Sequence, residues 1–267
     1  MLDNERLDIL SICTPVEFRL ESIKAAVQAG VRVILCEKPL APSVDEAESI
    51  AGTVNGSQST LLLNFQRRWD PGLQEAARMI QSGEIGELQR GFCVYEKGLA
   101  HNGSHMIDLL SMFLGRPARL RVVRDSTMQP ADPVTPTFDA EFRYDADGPA
   151  LVYLSAVDYS RYSIFEVDLL GTHGRIAVTN SGRDVKVFTV DRDKTYAGYK
   201  ALKPVREIPT AFDDHLKLVI QHAVSIGNDP SVLPVCGLKE GIDNLRVVDT
   251  LLQAYERKES QSRDQSL

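Results

Sequence analysis

Apolar residues follow two rhythms along this chain, and the change between them divides the sequence. Between residues 7 and 65, short apolar runs alternate with stretches whose apolar positions recur every three or four residues. The runs Leu7 to Cys13, Val31 to Leu35 and Leu61 to Phe65 predict strands buried in a parallel sheet. Between them Leu20, Ile23, Ala26 and Val27, and then Ala47, Ile50, Ala51 and Val54, keep helical spacing. Thr14 is expected to cap the first helix, with Pro15 at its first position and Glu17 completing a capping box. Ser43 and Glu46 form the same box for the second, and Gly30 and Asn55-Gly56 end the two helices. The order β-α-β-α-β predicts one half of a doubly wound sheet.

Leu73, Ala76, Ala77 and Ile80 predict a third helix, and SGEIGE at 82–87 a loop at a domain boundary. Beyond it the rhythm becomes alternation. Strands are expected at 88–97, 118–125, 137–145, 150–158, 163–170 and 174–179, with a further one at 185–190. DADG at 145–148 and GTHG at 171–174 are hairpin signals. Ser104, after the Asn102-Gly103 turn, is expected to cap a helix, and two helices close the chain near 212–226 and 238–256. Strands in series without helices predict a mixed, largely antiparallel sheet. The expected class is α/β plus α+β: a half-sheet domain over 1–86, a second domain over 87–258 and a polar tail over 259–267.

A dinucleotide fold opens with a strand, a glycine-rich turn and a helix, because bare backbone must approach the pyrophosphate. No GxGxxG occurs in this sequence. The expectation is an N-terminally truncated domain, short of about two strand–helix units of roughly 30 residues each.

Composition narrows the function. A net charge of −7 disfavours nucleic acid and anionic membranes as partners. No apolar run approaches the ~20 residues of a membrane span. Cys13, Cys36, Cys93 and Cys236 are scattered, which predicts reduced thiols in a cytoplasmic protein, with no disulfide frame and no zinc site.

Glu37-Lys38-Pro39 ends the second strand, at the carboxyl edge where open α/β sheets bind ligands. A lysine there can hydrogen-bond a substrate hydroxyl and stabilise a developing alkoxide; the competing reading is a surface ion pair. His101, His105 and Asp108 form a second cluster. With Ser104 as cap, His105 would sit in the first helical turn, kept neutral by the helix dipole, with Asp108 one turn on. Structurally, His105 could instead cap the loop. A metal pair with His101 is set aside, because Asn-Gly should break the helix between them and no third ligand is evident. Arg67 and Arg68 could meet a phosphate or carboxylate, or pair with Asp70. Tyr95 and Lys97 share a strand face and either line a pocket or lie in solvent. His173, His215 and His222 are read as structural.

Taken together, SICTP, CEKPLA, NFQRRWDP, SGEIGE, GSHMIDLL and LLGTHGRIAV resemble, in order and spacing, the Gfo/Idh/MocA family of glucose–fructose oxidoreductase and inositol dehydrogenase relatives. The resemblance implies a partial Rossmann domain binding NAD or NADP. It implies a C-terminal α+β domain for substrate binding and for homo-oligomers through its sheet. The implied activity is NAD(P)-dependent oxidation of a hydroxyl on a sugar, polyol or related compound. Lys38 would contact substrate and nicotinamide, with a cis bond to Pro39. Thr14 and Pro15 would flank the nicotinamide ribose, with Glu37 and Arg67 as cofactor neighbours. His105 matches the general base. The family's aspartate four residues earlier is His101 here, a further catalytic or substrate-binding candidate. Tyr95, Lys97, Asn102 and Asp108 are expected around the substrate. The alternative is a non-catalytic module that binds a carbohydrate or a partner.

Overall fold

The computed structural model describes residues 2, 4–125, 136–145, 148–157 and 162–264. The three apolar runs form β1 (Ile9–Ile12), β2 (Val33–Cys36) and β3 (Thr60–Leu63), a parallel sheet in the order β1-β2-β3. Ile12 aligns with Cys36, and Cys36 with Leu63, so the three carboxyl ends finish level. β2 is buried at every position, as a central strand covered on both faces must be. The crossover helices α1 (Arg19–Gln28) and α2 (Val44–Asn55) bury Ile23 and Ala26, and Ala47, Ile50 and Val54. Ser43 caps α2 as expected, its Oγ accepting the Glu46 amide at 3.3 Å. Thr14 does not cap α1. A 3-10 turn over Val16–Phe18 precedes the helix, no side chain caps either element, and the Thr14 carbonyl is taken instead by Arg19. Gly30 stops α1 in the left-handed conformation, φ +73°.

The chain divides into two compact units: Met1–Trp69 with Asp213–Asp249, and Asp70–Phe212 with Thr250–Leu267. The first boundary thus lies after Trp69, ahead of the expected 86/87. Asp70 is the reason: its Oδ1 caps α3 (Pro71–Gln81), and its Oδ2 accepts the Ala211 amide, both within the second unit. The closing helices also depart from expectation. Val219, Ala223 and Ile226 of α5 (His215–Asn228) enter the core of the first unit, and Leu238, Ile242 and Leu245 of α6 (Leu238–Asp264) pack against it. Chain order hid this, because the cover of the first sheet comes from far along the sequence. α6 stays helical to Asp264, through most of the expected polar tail; residues 265–267 lie outside the described residues.

The second unit holds an eight-stranded sheet in the order β11-β10-β9-β8-β4-β7-β6-β5. The strands are β4 (Leu88–Glu96), β5 (Arg119–Asp125), β6 (Phe138–Arg143), β7 (Leu151–Val157), β8 (Phe165–Gly171), β9 (Gly174–Thr179), β10 (Asp184–Arg192) and β11 (Lys200–Pro209). Among the described residues only β4 and β7 of this sheet pair in parallel, so it is mixed and largely antiparallel, as its rhythm predicted. The GTHG turn joins β8 to β9. Residues 146 and 147 of the expected DADG hairpin lie outside the described residues. β11 has no counterpart in the sequence reading. It is an edge strand, exposed along most of its length, with Pro204 at a register shift, so it lacks the apolar alternation that marks inner strands. Among the described residues no helix is long and apolar enough to cross a membrane. Cys36, Cys93 and Cys236 are buried and Cys13 is exposed.

Candidate active site

In the first unit, polar residues gather at the carboxyl ends of the three strands. Thr14 and Pro15 are exposed after β1, and Glu37, Lys38 and Pro39 are half-buried after β2. Asn64 follows β3, and Arg67 is buried in the 3-10 turn Gln66–Trp69. The Lys38–Pro39 peptide bond is cis. The Asn64 amide donates to Glu37 Oε1 at 2.7 Å and fixes that carboxylate beside Lys38. Burial pushes the Lys38 ammonium below its ordinary pKa, the Arg67 charge adds to this, and Glu37 opposes it. Lys38 therefore releases a proton more readily than a solvated lysine.

Arg19 staples this edge together. Only 2% exposed, it donates through Nη1 to the carbonyls of Glu37 and Pro39 and to Cys36 Sγ, and through Nη2 to Thr14 O at 3.0 Å. The ends of β1 and β2 are thereby tied by one guanidinium, whose planar fork suits several carbonyls at once. Sequence reasoning missed Arg19 and Asn64. A signal for Arg19 existed: with Ile23 and Ala26 it occupies the apolar face of α1, where a charge needs partners. Cys36 is no nucleophile, since burial raises its thiol to about 11 against the pull of Arg19.

The second unit carries the histidines. Glu96 ends β4, and Lys97 (φ +64°) and Gly98 (φ +67°) reverse the chain. A π-helical turn follows over Leu99–Gly103, closed by the Gly103 amide donating to Gly98 O at 3.0 Å, and α4 (Ser104–Leu114) continues directly from it. Ser104 is thus not a cap; its Oγ donates back to Ala100 O at 3.0 Å and His101 O at 2.7 Å. Helical backbone begins near Leu99, so His105 lies beyond the turn where a dipole acts, and the expected dipole argument for its neutrality lapses. Asn102-Gly103 does not break the helix either. The helix-break argument against a metal pair therefore does not hold; among the described residues no group of three or more His, Cys, Asp or Glu lies close enough to hold a metal ion.

His101 is exposed, His105 is half-buried and Asp108 is buried on α4. Tyr95 is 2% exposed and belongs to the core, where burial raises its phenol. Lys97 is exposed, and its left-handed backbone ends the alternation that would have set it beside Tyr95. Asn102 donates to Glu96 Oε1 at 3.2 Å, so its amide is engaged within the turn. Asp70 is buried and caps α3.

Residues 1–65 match the oxidoreductase family described by its NAD-binding Rossmann fold. Over those residues the chain is similar to the Gfo/Idh/MocA oxidoreductases. It is 34% identical over 86 residues to an uncharacterized oxidoreductase, YrbE, of Bacillus subtilis, covering 32% of this chain and 25% of that protein. It is 30% identical over 83 residues to inositol 2-dehydrogenase of Rhizobium meliloti, covering 31% of this chain and 25% of that enzyme. The chain thus spans about a quarter of the length of these curated relatives. Levoglucosan dehydrogenase, solved with NADH and levoglucosan, shares the fold at a TM-score of 0.75 and 19% identity, over 96% of this chain and 80% of that one.

The fit of these residues to a dinucleotide is uneven. Thr14, Glu37 and Lys38 offer hydrogen-bonding groups at the sheet's carboxyl edge, and Asn64 Oδ1 is buried there with no protein partner. That donor and acceptor set suits a nicotinamide and its ribose. For the pyrophosphate, these 267 residues contain no glycine-rich turn.

Proposed function

We propose that this protein acts as an NAD(P)-dependent oxidoreductase on a hydroxyl-bearing carbon of a sugar, polyol or related compound. The observation that carries the reading is Lys38: a partly buried ammonium with lowered proton affinity at the carboxyl edge of a parallel sheet. The nicotinamide, when bound, supplies the hydride acceptor. Thr14, Pro15, Glu37 and Arg67 hold its ring and ribose end. Lys38 donates a hydrogen bond to the substrate hydroxyl and stabilises the developing alkoxide. His105 takes the hydroxyl proton as general base, and His101, Asn102 and Asp108 shape its surroundings. The sugar-like substrate class is supported by the inositol and levoglucosan dehydrogenases among the similar proteins. Self-association through the second sheet is supported by the exposed pair Phe92 and Tyr153, stacked at 5.7 Å.

The test is a titration of the 267-residue protein with NADH and NADPH, read by nicotinamide fluorescence, followed by a polyol screen with wild type, Lys38→Ala and His105→Ala. Binding, with turnover reduced about 10²-fold or more in each variant, is expected. No binding at millimolar cofactor sinks the reading for this chain. A second reading is a module that binds a carbohydrate or a partner without redox chemistry. Polyol binding without NADH or NADPH binding would select it.

A further inference from the structure

Between Glu96 and His105 the backbone takes two unfavourable forms in succession. Lys97 is a non-glycine residue at φ +64°, which costs about 1–2 kcal/mol. After Gly98, the five residues Leu99–Gly103 form a π-helical turn, a rare form found mostly as single turns at functional sites. Such forms persist only when their surroundings over-determine them. Packing supplies part of that: a Cβ on Gly103 would stand 3.0 Å from the buried Tyr95 ring and 3.2 Å from Gly98 O.

Glu96 supplies the rest. It is 2% exposed, and its carboxylate accepts three hydrogen bonds from neutral donors. Oε1 takes Asn102 Nδ2 at 3.2 Å and Ser163 Oγ at 2.6 Å, and Oε2 takes the Ile164 amide. Ser163 and Ile164 lead into β8, which pairs with β4. Asn102 lies in the π turn, between the two histidines. One buried carboxylate therefore joins the wide turn to a second strand of the sheet.

We propose that Glu96 is a positioning residue, clamping Asn102 to the head of β8 so that the π turn, and with it the relation of His101 to His105, is fixed. The turn holds one residue more than an α-helical turn. Its collapse to α geometry would rotate His101 about the helix axis relative to His105. The clamp is independent of cofactor; its consequence for turnover rests on the reading of His105 as base.

The experiment uses the full chain as wild type, Glu96→Gln and Asn102→Ala. Hydrogen–deuterium exchange over residues 97–104 and the C2–H proton resonances of the five histidines are followed, without cofactor. Expected are exchange faster by about 10-fold or more over 97–104 and displaced His101 and His105 resonances. His173, His215 and His222 should stay in place. Unchanged exchange and unchanged resonances in both variants would overturn the clamp. If Glu96→Gln does not fold, Asn102→Ala decides, because it removes one donor and leaves the carboxylate bound to Ser163 and Ile164. In turnover assays kcat should fall about 10- to 100-fold with cofactor affinity unchanged. A wild type without turnover would count against the oxidoreductase reading alone, and the exchange result would still judge the clamp.

Discussion

The side-chain amide of Asn64 donates to Oε1 of Glu37 across 2.7 Å and joins the end of β3 to the end of β2. Asn64 is 7% exposed, so this carboxylate is held by a group that cannot swing into solvent. Asn64→Leu keeps the volume and removes the donor. A half-buried carboxylate left without its partner costs about 1–3 kcal/mol, and the urea midpoint should fall accordingly. Glu37 would also lose its fixed place beside Lys38. NADH affinity, read by fluorescence, should weaken in the same variant, and unchanged affinity would separate Glu37 from the cofactor.

Asp70 ties two distant stretches of the second unit. Its Oδ1 accepts the amides of Gly72 at 2.8 Å and Leu73 at 3.0 Å, and its Oδ2 accepts the Ala211 amide at 2.7 Å. Asp70→Ala removes a helix cap and strands the amide of Ala211. The two losses together amount to about 2–4 kcal/mol in urea denaturation. Asp70→Asn should lie between, since an amide oxygen can still cap α3 but its nitrogen cannot accept from Ala211. Equal stability of Asn and Ala variants would assign the whole effect to the Ala211 bond.

Phe92 and Tyr153 face each other across the parallel pair β4–β7, 49% and 36% exposed, with ring planes 14° apart. Two stacked aromatics on inner strands are an apolar patch that water covers poorly. The double substitution Phe92→Lys, Tyr153→Ser should reduce the mass seen by light scattering to that of one chain. Circular dichroism should stay unchanged, because neither ring enters the core. A wild type that already runs as a single chain would remove this surface as a site of self-association.

What the sequence disclosed followed from local chemistry. The β1–α1–β2–α2–β3 series was legible because apolar runs, Ser43 and Gly30 each act on their immediate neighbours. Lys38 was legible as a site residue because a charged pair ends a buried strand. Features that depend on partners far along the chain were not. The roles of Arg19, Asn64 and Glu96 depend on partners that include ones 17, 27 and 68 positions away. The cover of the first sheet by α5 was hidden for the same reason. Asn102-Gly103 misled because turn propensity is a weak prior. Local side-chain bonds, from Asn102 to Glu96 and from Ser104 to the carbonyls of Ala100 and His101, hold that dipeptide in a helical turn.

Lys38 sets stability and activity against each other. Burial lowers its folded-state pKa below 10.5, while the unfolded chain keeps the ordinary value. Between those two pKa values the unfolded state binds more protons, so stability rises with pH across that window. Below the folded value both states are protonated, and the full penalty of the buried ammonium is present. Lys38→Met, of similar reach and without charge, should therefore raise the melting temperature at pH 7 by about 2–4 °C. The gain over wild type should shrink as pH climbs toward 10.5, because wild type sheds the same penalty by losing its proton. Turnover of the variant should fall about 10²-fold or more, since no donor remains to meet the alkoxide. A Met variant that is less stable than wild type at pH 7 would mean that the bonds of Lys38, Glu37 among its neighbours, outweigh its desolvation.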